Sequence, residues 1–352
     1  MNARRIAVAV AVAVVLLGGV VAALVESGRG SEEAAPASST TSTTAAPTTT
    51  TTAPPTYPLT GLPVADQAVA ERPALVVKVD NTDKARGRQT GLTAADVVYV
   101  ELVEGGNTRL AAIYQSTDAD PVGPVRSART SDVAITGNLD GPVFAFSWAA
   151  GGVLDIIRAA NLVDAGFDVQ PGAYQVRGSG VLRFYIATST FFGFAPEGAG
   201  PPPALFTYRP EGAVVSAAGA EDAGGVMVSY GGVANTQVSY EAAPGGWARS
   251  QNGAPFVEES GARIEPPNVI VQFVDYANSG FVDVTGAPSP EAVLVGEGEA
   301  WVLTGGKLVR GRWSRADLGA ATSYTDSAGA PIALAPGRTW VELAPPGSAA
   351  PL

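Results

Sequence analysis

The chain has 352 residues, carries a net charge of −11, and contains no cysteine and no histidine. The acidic balance argues against a nucleic-acid partner, which would need a basic protein face. The two missing residue types exclude disulfides, thiol catalysis, a Ser-His-Asp triad and zinc sites built on thiolate or imidazole. Any catalysis must therefore use carboxylates, lysine, tyrosine, serine or threonine.

The N-terminus is apolar. Arg4 and Arg5 precede an apolar run from Ile6 to Val25, and about 20 helical residues cover roughly 30 Å, the hydrocarbon thickness of a bilayer. The arginines hold the N-terminus in the cytoplasm, so residues 1–27 are predicted to form a single-pass membrane anchor with the rest of the chain extracytoplasmic. The alternative is a signal peptide cleaved near Ala22 and Ala23, which would release a secreted protein.

Residues 28–56 form a segment rich in serine, threonine, alanine and proline. Such a composition cannot bury enough apolar surface to offset the entropy of ordering, so the segment is predicted to be a disordered linker. Its prolines favour a semi-extended spacer.

A first domain is predicted over residues 57–201, ending before the Pro/Gly-rich stretch 196–203. Apolar and alternating runs predict strands at 74–79, 97–103, 109–115 and 144–148, with Gly105-Gly106-Asn107 as a hairpin turn and a helix over 153–160. This combination is typical of a mixed α/β domain with helices packed on a sheet.

Charged and polar residues crowd between the apolar runs from Asp80 to Asp132, although charge is sparse elsewhere. We interpret this region as a candidate ligand-binding site. Its residues are Asp80, Asn81, Arg86, Asp96, Glu101, Glu104, Thr108, Arg109, Arg126, Ser127 and Arg129.

A helix is predicted from about Ser127, as N-cap, to Thr136. Arg126 and Arg129 would then lie at its positive end, where an anion is favoured. Two alternatives stay open. The anion is either an internal carboxylate, from Glu101, Asp80 or Asp132, or the phosphate or carboxylate of a ligand.

Catalysis by carboxylates is the second hypothesis for this region. Asp80, Asp96, Glu101 and Glu104 are the candidates, and glycoside hydrolysis needs two carboxyl groups about 5–9.5 Å apart. Strand alternation places Glu101 and Glu104 on opposite faces if the strand continues that far. The spacing of Asp80 and Asp96 does not match a calcium-binding EF-hand, so no metal and no cofactor are predicted.

A second domain is predicted over residues 204–346, where short strands alternate with glycine and proline. The strands are expected at 205–208, 225–230, 236–240, 269–275, 281–284, 299–304, 307–313 and 339–343, with a hairpin turn at Gly305-Gly306. The spacing favours a mostly antiparallel β-sandwich or open barrel. Its tryptophans, Trp247, Trp301, Trp313 and Trp340, are core anchors or, alternatively, a sugar-binding face. The fold class is therefore α+β.

The sequence also resembles the bacterial YerB-like lipoprotein family, which has DUF3048 N-terminal and C-terminal domains. The resemblance covers nearly all of residues 57–345. Its first half is carried by the segments 58–62, 79–81, 91–92, 95–99, 103–106, 108–109 and 123–129, and its second half by 268–272, Gly311, Trp313 and 336–340.

The resemblance implies an extracytoplasmic cell-envelope protein with no established activity. Three features depart from the family pattern: no cysteine for a lipid anchor, no histidine near 147–152 or 241–253, and Arg183-Phe184-Tyr185-Ile186 in place of an Asn-Leu-Tyr motif. We therefore predict a membrane-tethered binding or scaffold module for an anionic wall component or an envelope protein. The alternative is a carboxylate-dependent hydrolase of cell-wall glycan or peptide.

Overall fold

The computed structural model describes residues 54–283 and 285–352. The predicted membrane anchor and the predicted linker up to residue 53 lie outside the described residues. Within the described ranges, no helix is both long enough and apolar enough to cross a bilayer.

The described chain is mostly β-structure with a few short helices. The α-helices are α1 Gln67–Glu71, α2 Ser131–Thr136, α3 Gly151–Ala159 and α4 Thr188–Phe192, and single 3-10 turns occupy Asp83–Ala85, Leu92–Ala94, Glu104–Gly106 and Pro171–Ala173. The strands are β1 Leu75–Asp80, β2 Val97–Leu102, β3 Thr108–Tyr114, β4 Val143–Ala145, β5 Val163–Asp164, β6 Gln175–Val176, β7 Phe184–Tyr185, β8 Glu221–Asp222, β9 Gly225–Ser229, β10 Gln237–Ala243, β11 Gly246–Gln251, β12 Ala254–Pro255, β13 Asn268–Phe273, β14 Tyr276–Val282, β15 Pro288–Ala292, β16 Gly296–Thr304, β17 Lys307–Arg315, β18 Ser323–Thr325, β19 Thr339–Ala344 and β20 Ala349–Pro351.

One mixed sheet of eleven strands runs through both halves of the described chain, in the order β18-β17-β16-β13-β19-β2-β3-β1-β4-β5, with β8 beside β17. Strand β19 pairs in parallel with β13 on one side and with β2 on the other. The predicted boundary at residues 201–204 therefore falls between two stretches of chain that share one sheet.

Both faces of the central strands of this sheet are buried. Along β2, Val98 and Val100 face one core, which a second antiparallel sheet of order β12-β11-β10-β9-β20 completes with residues such as Trp247. Val97 and Tyr99 face the other core, together with apolar side chains of α2 and α3. The second half thus has the two-layer packing expected of a sandwich, but one layer also contains strands of the first half.

Several predicted elements are confirmed to within two or three residues, namely β1, β2, β3, α3 and the β16–β17 hairpin around Gly305-Gly306. Each is marked by a local pattern of apolar residues and turn-forming glycines. The tryptophans at 247, 313 and 340 are buried, so the core interpretation is confirmed for these three.

Some predicted elements differ from the structure. The strands predicted at 144–148 and 281–284 are Val143–Ala145 and Tyr276–Val282. The helix does not begin at Ser127, because the backbone there is bonded to β1 and to the chain after β4: Arg126 N–H donates to the Lys78 carbonyl, and Ala128 N–H donates to the Trp148 carbonyl. The helix instead begins at Ser131. No strand forms at 205–208 among the described residues, where Tyr208 makes only an isolated bridge to Leu334.

Candidate functional site

The segment from Val122 to Arg129 forms one wall of the candidate site. It runs in extended conformation beside the end of β1, where Asp80 N–H donates to the Pro124 carbonyl at 2.9 Å. On its other side, Ser147 N–H donates to the Arg126 carbonyl at 2.9 Å. These bonds fix the backbone of Arg126 between β1 and the chain that follows β4.

A cavity of about 510 Å³ opens beside this segment. Four arginines and two acids are among the residues that line it, and the remainder are mostly apolar or small. The polar members are Glu104, Asn107, Arg109, Arg126, Ser127, Arg129, Ser147, Arg183, Asp283 and Ser289, and the apolar members include Val103, Trp148, Val153, Phe167, Val181, Phe184, Phe281 and Val282. A volume of this size is ordinary for a small-molecule site.

Arg129 is paired with a carboxylate inside the protein. Its Nε donates to Glu104 Oε1 at 2.7 Å and its Nη2 to Oε2 at 2.8 Å, while Ser289 also donates to Oε1. Burial opposes ionisation of Glu104, but the bonds and the charge of Arg129 outweigh it, so the pKa of this carboxyl lies below its ordinary value. Glu104 is therefore an anion with both oxygens engaged.

Arg126 has donors to spare. Its Nε donates to Asp80 Oδ2 at 2.6 Å, and its two terminal nitrogens have no hydrogen-bond partner among the described residues. Burial alone would raise the pKa of Asp80, but Arg109, Thr82 and Arg126 together hold it below its ordinary value. Arg126 thus binds the Asp80 carboxylate through its Nε and, as a residue of the cavity lining, has its two terminal nitrogens available for a ligand.

Arg109 is the least satisfied of these cations. Its Nη2 lies 3.9 Å from Asp80 Oδ2. Within the described chain its side chain donates one hydrogen bond, from Nη1 to the Thr108 carbonyl, and its buried Nε has no partner. Burial lowers the pKa of Arg109, and the attraction of Asp80 only partly restores it. Since a guanidinium stays protonated at neutral pH, this is a buried charge with unused donors.

A second ionic cluster lies beneath the cavity. Lys78 on β1 is fully buried and donates to Glu101 on β2 and, at 2.8 Å, to Asp132 on α2. The other oxygen of Asp132 accepts the Arg129 N–H at 2.7 Å, which connects this cluster to the backbone of the site. Burial, with Asp132 nearby, raises the pKa of Glu101 to about 7 in spite of the lysine.

This shift predicts a pH dependence of stability. Glu101 has a pKa near 7 in the folded protein and an ordinary value of 4.5 when unfolded, so between these values the folded state binds more protons. The free energy of unfolding contributed by Glu101 therefore falls as pH rises from about 4.5 to 7 and is level above that.

Chemical denaturation of the wild type and of Glu101→Gln across this pH range measures the contribution. Other carboxyl groups titrate in both proteins, so the difference between the two curves isolates Glu101. We expect the variant to gain stability relative to the wild type as pH rises. A difference that is constant over the range would contradict the burial argument.

The structure brings together most, but not all, of the residues predicted from sequence. Glu104, Arg109, Arg126, Ser127 and Arg129 line the cavity. Three others, Asp80, Asn81 and Thr108, are not in the cavity lining but contact each other or a lining residue. Asp80 accepts a bond from Arg126, and the Asn81 amide donates to Thr108 Oγ1 at 2.7 Å.

The remaining three are placed elsewhere. Glu101 is buried with Lys78 and is not part of the cavity wall. Asp96 lies at the opposite end of β2, where it accepts bonds from the backbone of Gln115 and Ser116. Arg86 is partly exposed and pairs with Asp83.

The condition for placing Glu101 and Glu104 on opposite faces of the strand is not met. The strand ends at Leu102 and a 3-10 turn begins at Glu104, so the alternation does not extend to that residue. Glu101 contacts Lys78, which also contacts Asp132, and Glu104 pairs with Arg129.

Sequence reasoning missed the apolar half of the cavity, as well as Arg183, Asp283 and Lys78. Lys78 did carry a signal, because a lysine within a continuous apolar strand needs a buried acidic partner. No such signal marked Trp148, Val181 and Val282, since they come from three separate segments of ordinary composition.

The fold and the site define a β-rich protein built on one mixed sheet, with an arginine-lined cavity at the end of its first strands. DUF3048 is a family of proteins of unknown function. The sequence profile of its N-terminal domain matches residues 59–180, and that of its C-terminal domain matches residues 226–341. The chain belongs to the DUF3048 family, as its sequence motifs predict.

The relatives agree with this placement. A Bacillus subtilis strain 168 protein named "Putative lipoprotein YerB" is 45% identical over 94 residues, which are 27% of this chain and 28% of that protein. The crystal structure of the YerB protein from Bacillus subtilis matches with a TM-score of 0.70 and 23% identity, covering 85% of this chain and 99% of the other. At this identity the structural match establishes the fold alone.

Proposed function

We propose that the protein is a membrane-tethered, extracytoplasmic binding module of the cell envelope, and that its cavity binds an anionic component of the cell wall. The apolar N-terminal run supports the tether, and the lipoprotein description of the relative supports an envelope location. Because the chain has no cysteine to carry a lipid, a single membrane helix over residues 1–27 would take the place of a lipid anchor. The linker over residues 28–56 would hold the described domain away from the bilayer.

The observation that carries the binding proposal is the charge in the cavity. Four arginines line it in a protein whose net charge is −11. Glu104 and Asp80 engage part of their donors, but the terminal nitrogens of Arg126 remain free among the described residues. Guanidinium groups with free edges are well suited to phosphate and carboxylate, which accept two parallel hydrogen bonds.

The same geometry favours binding over hydrolysis. Among the described candidates Asp80, Asp96, Glu101 and Glu104, only Glu104 lines the cavity. Its lowered pKa and its bonds to Arg129 suit it poorly to act as a general acid. Hydrolysis would therefore require Glu104 to work with Asp283, whose Oδ1 already accepts bonds from Thr285 and Ala287.

A thermal-shift series tests the proposal. The described residues, 54–283 and 285–352, belong to one compact unit, so a chain that starts at residue 54 can be used without the apolar segment. The ligands are inorganic phosphate, diphosphate, muropeptides and phosphorylated wall polymers. A ligand at a hundredfold excess over its Kd should stabilise the folded protein by about 2.7 kcal/mol.

We expect Arg126→Gln to lose this stabilisation. The Arg126 side chain is only 20% exposed, but Asp80 keeps its bonds to Thr82 in the variant, so the fold should persist. Arg312→Gln is the matched control, since Arg312 is exposed and lies outside the cavity. If the wild type and Arg126→Gln respond alike to every anion, the cavity is not the site. A response only to an envelope protein would move the proposal to a scaffold role.

A further inference from the structure

We propose that the ligand is an amphiphilic phosphate, meaning a phosphate group carried on an apolar chain. This rests on the proposed function and names the chemical class that the cavity would select. The phosphate would lie on the arginines, and the chain would lie against the apolar side chains of the same cavity.

The charge in the cavity fits a phosphate. Arg109, Arg126, Arg129 and Arg183 supply four positive charges, and Glu104, Asp283 and the adjoining Asp80 supply three negative ones. One positive charge is left over. Arg183 is free of ion pairs among the described residues, since its guanidinium donates to the Gly180 carbonyl and stacks on Phe184.

Arg109 adds an independent observation. Its side chain is more than nine-tenths buried and lines the cavity, yet its Nε has no partner in the described chain. Its distance to Asp80 is 3.9 Å, longer than a hydrogen bond. An anion beside Arg126 would supply the charge that this buried guanidinium lacks.

Part of the cavity lining is apolar and exposed. Trp148 is 52% exposed, Val181 61% and Val282 55%. They come from the chain after β4, from the turn before β7 and from the end of β14, so three separate segments contribute exposed apolar side chains to one cavity. Large apolar side chains that remain exposed together at a cavity mark a surface that buries an apolar partner.

The apolar lining favours an alkyl or isoprenyl chain over a sugar. Both oxygens of Glu104 already accept bonds from Arg129, and Oε1 also accepts one from Ser289, so Asn107 and Asp283 are the acceptors left for sugar hydroxyls. Phe281 also lines the cavity and adds to its apolar surface. A hydrocarbon chain requires no acceptors and gains from each methylene group that leaves water.

Calorimetric titration tests this inference with three ligands: decyl phosphate, inorganic phosphate and decyl maltoside. The two decyl compounds are used below their critical micelle concentrations. In the wild type, decyl phosphate should bind about 50-fold or more tightly than inorganic phosphate, the gain expected from burying about three methylene groups. Decyl maltoside, which lacks the charge, should bind far more weakly than decyl phosphate.

The variants assign the two halves of the cavity. Trp148→Ser should weaken the binding of decyl phosphate much more than that of inorganic phosphate, whereas Arg126→Gln should weaken both phosphates. Leu318→Ser is the matched control, because Leu318 is 45% exposed and lies outside the cavity. It should change none of the affinities.

The outcomes separate this inference from the proposed function. Equal affinity for decyl phosphate and inorganic phosphate, or an equal loss of both affinities in Trp148→Ser, would overturn the proposal of an amphiphilic ligand. The cavity would then be a site for the anion alone. Decyl maltoside binding as tightly as decyl phosphate would overturn the phosphate head group. If neither phosphate binds while a wall polymer does, the amphiphile is wrong and the proposed function stands; if no anion binds, both fall.

Discussion

Replacement of Lys78 by methionine is expected to lower the free energy of unfolding by about 3–5 kcal/mol. Methionine has a similar length and fits the same space, but it removes the one cation between two fully buried carboxylates, Glu101 and Asp132. Glu101 Oε2 already lacks a partner among the described residues. The variant would therefore leave two uncompensated groups facing each other inside the protein, and urea unfolding measures the cost.

A surface lysine supplies the control. Lys307 donates to the exposed Asp222 at 2.7 Å, and exposed pairs contribute about 0–1 kcal/mol. Lys307→Met should therefore be nearly neutral. Adding Glu101→Gln to Lys78→Met should recover part of the loss, because one buried acid is removed. If Lys78→Met costs no more than Lys307→Met, the buried cluster does not stabilise the fold.

Substitution of Gly106 by alanine is the second change with a large expected effect. Gly106 has a φ of +84°, which costs a non-glycine residue about 1–2 kcal/mol. A Cβ at this position would also overlap the Gly231 carbonyl oxygen and lie 2.9 Å from the Gly232 Cα. These backbone atoms of residues 231 and 232 cannot yield as a flexible side chain would, so about 1–3 kcal/mol more is expected.

Gly105 is the matched control, one residue away in the same turn. Its φ is +69°, but the nearest atom to an added Cβ is the Asn107 side chain at 3.7 Å. Gly105→Ala should therefore show only the conformational cost, and denaturant unfolding should place Gly106→Ala clearly below it. Equal losses in the two variants would show that the close approach of residues 106 and 231 is relaxed in solution.

The same approach explains how the second half of the chain supports the site. The Gly106 carbonyl accepts bonds from both Thr236 N–H and Thr236 Oγ1, and Gly105 accepts from Ala234 N–H. These bonds hold the turn from which Glu104 extends to Arg129. Gly106→Ala should therefore also weaken anion binding.

The sequence predicts the strands of this protein better than their arrangement. Strands β1 to β3 are visible because apolar residues alternate or run continuously between glycine turns. The parallel pairing of β19 with β2 leaves no such local pattern, since it joins residues far apart in the chain. Only that pairing shows that the two halves share one sheet.

The candidate site follows the same rule. Arg109, Arg126 and Arg129 could be identified because charge is dense where the rest of the chain is apolar. The residues that pair with these arginines could not be identified from spacing. The predicted helix begins at Ser131 and not at Ser127, because β1 and the residues after β4 form hydrogen bonds with the backbone around residue 127. The apolar wall depends on tertiary folding alone, which brings Trp148, Val181 and Val282 together.

A crystal structure of the protein with the anion that gives the largest thermal shift tests the central claim most directly. We predict that the anionic group lies in the cavity, within hydrogen-bond distance of the terminal nitrogens of Arg126, with the Arg129–Glu104 pair intact. An anion bound elsewhere, with the cavity holding only solvent, would contradict the account.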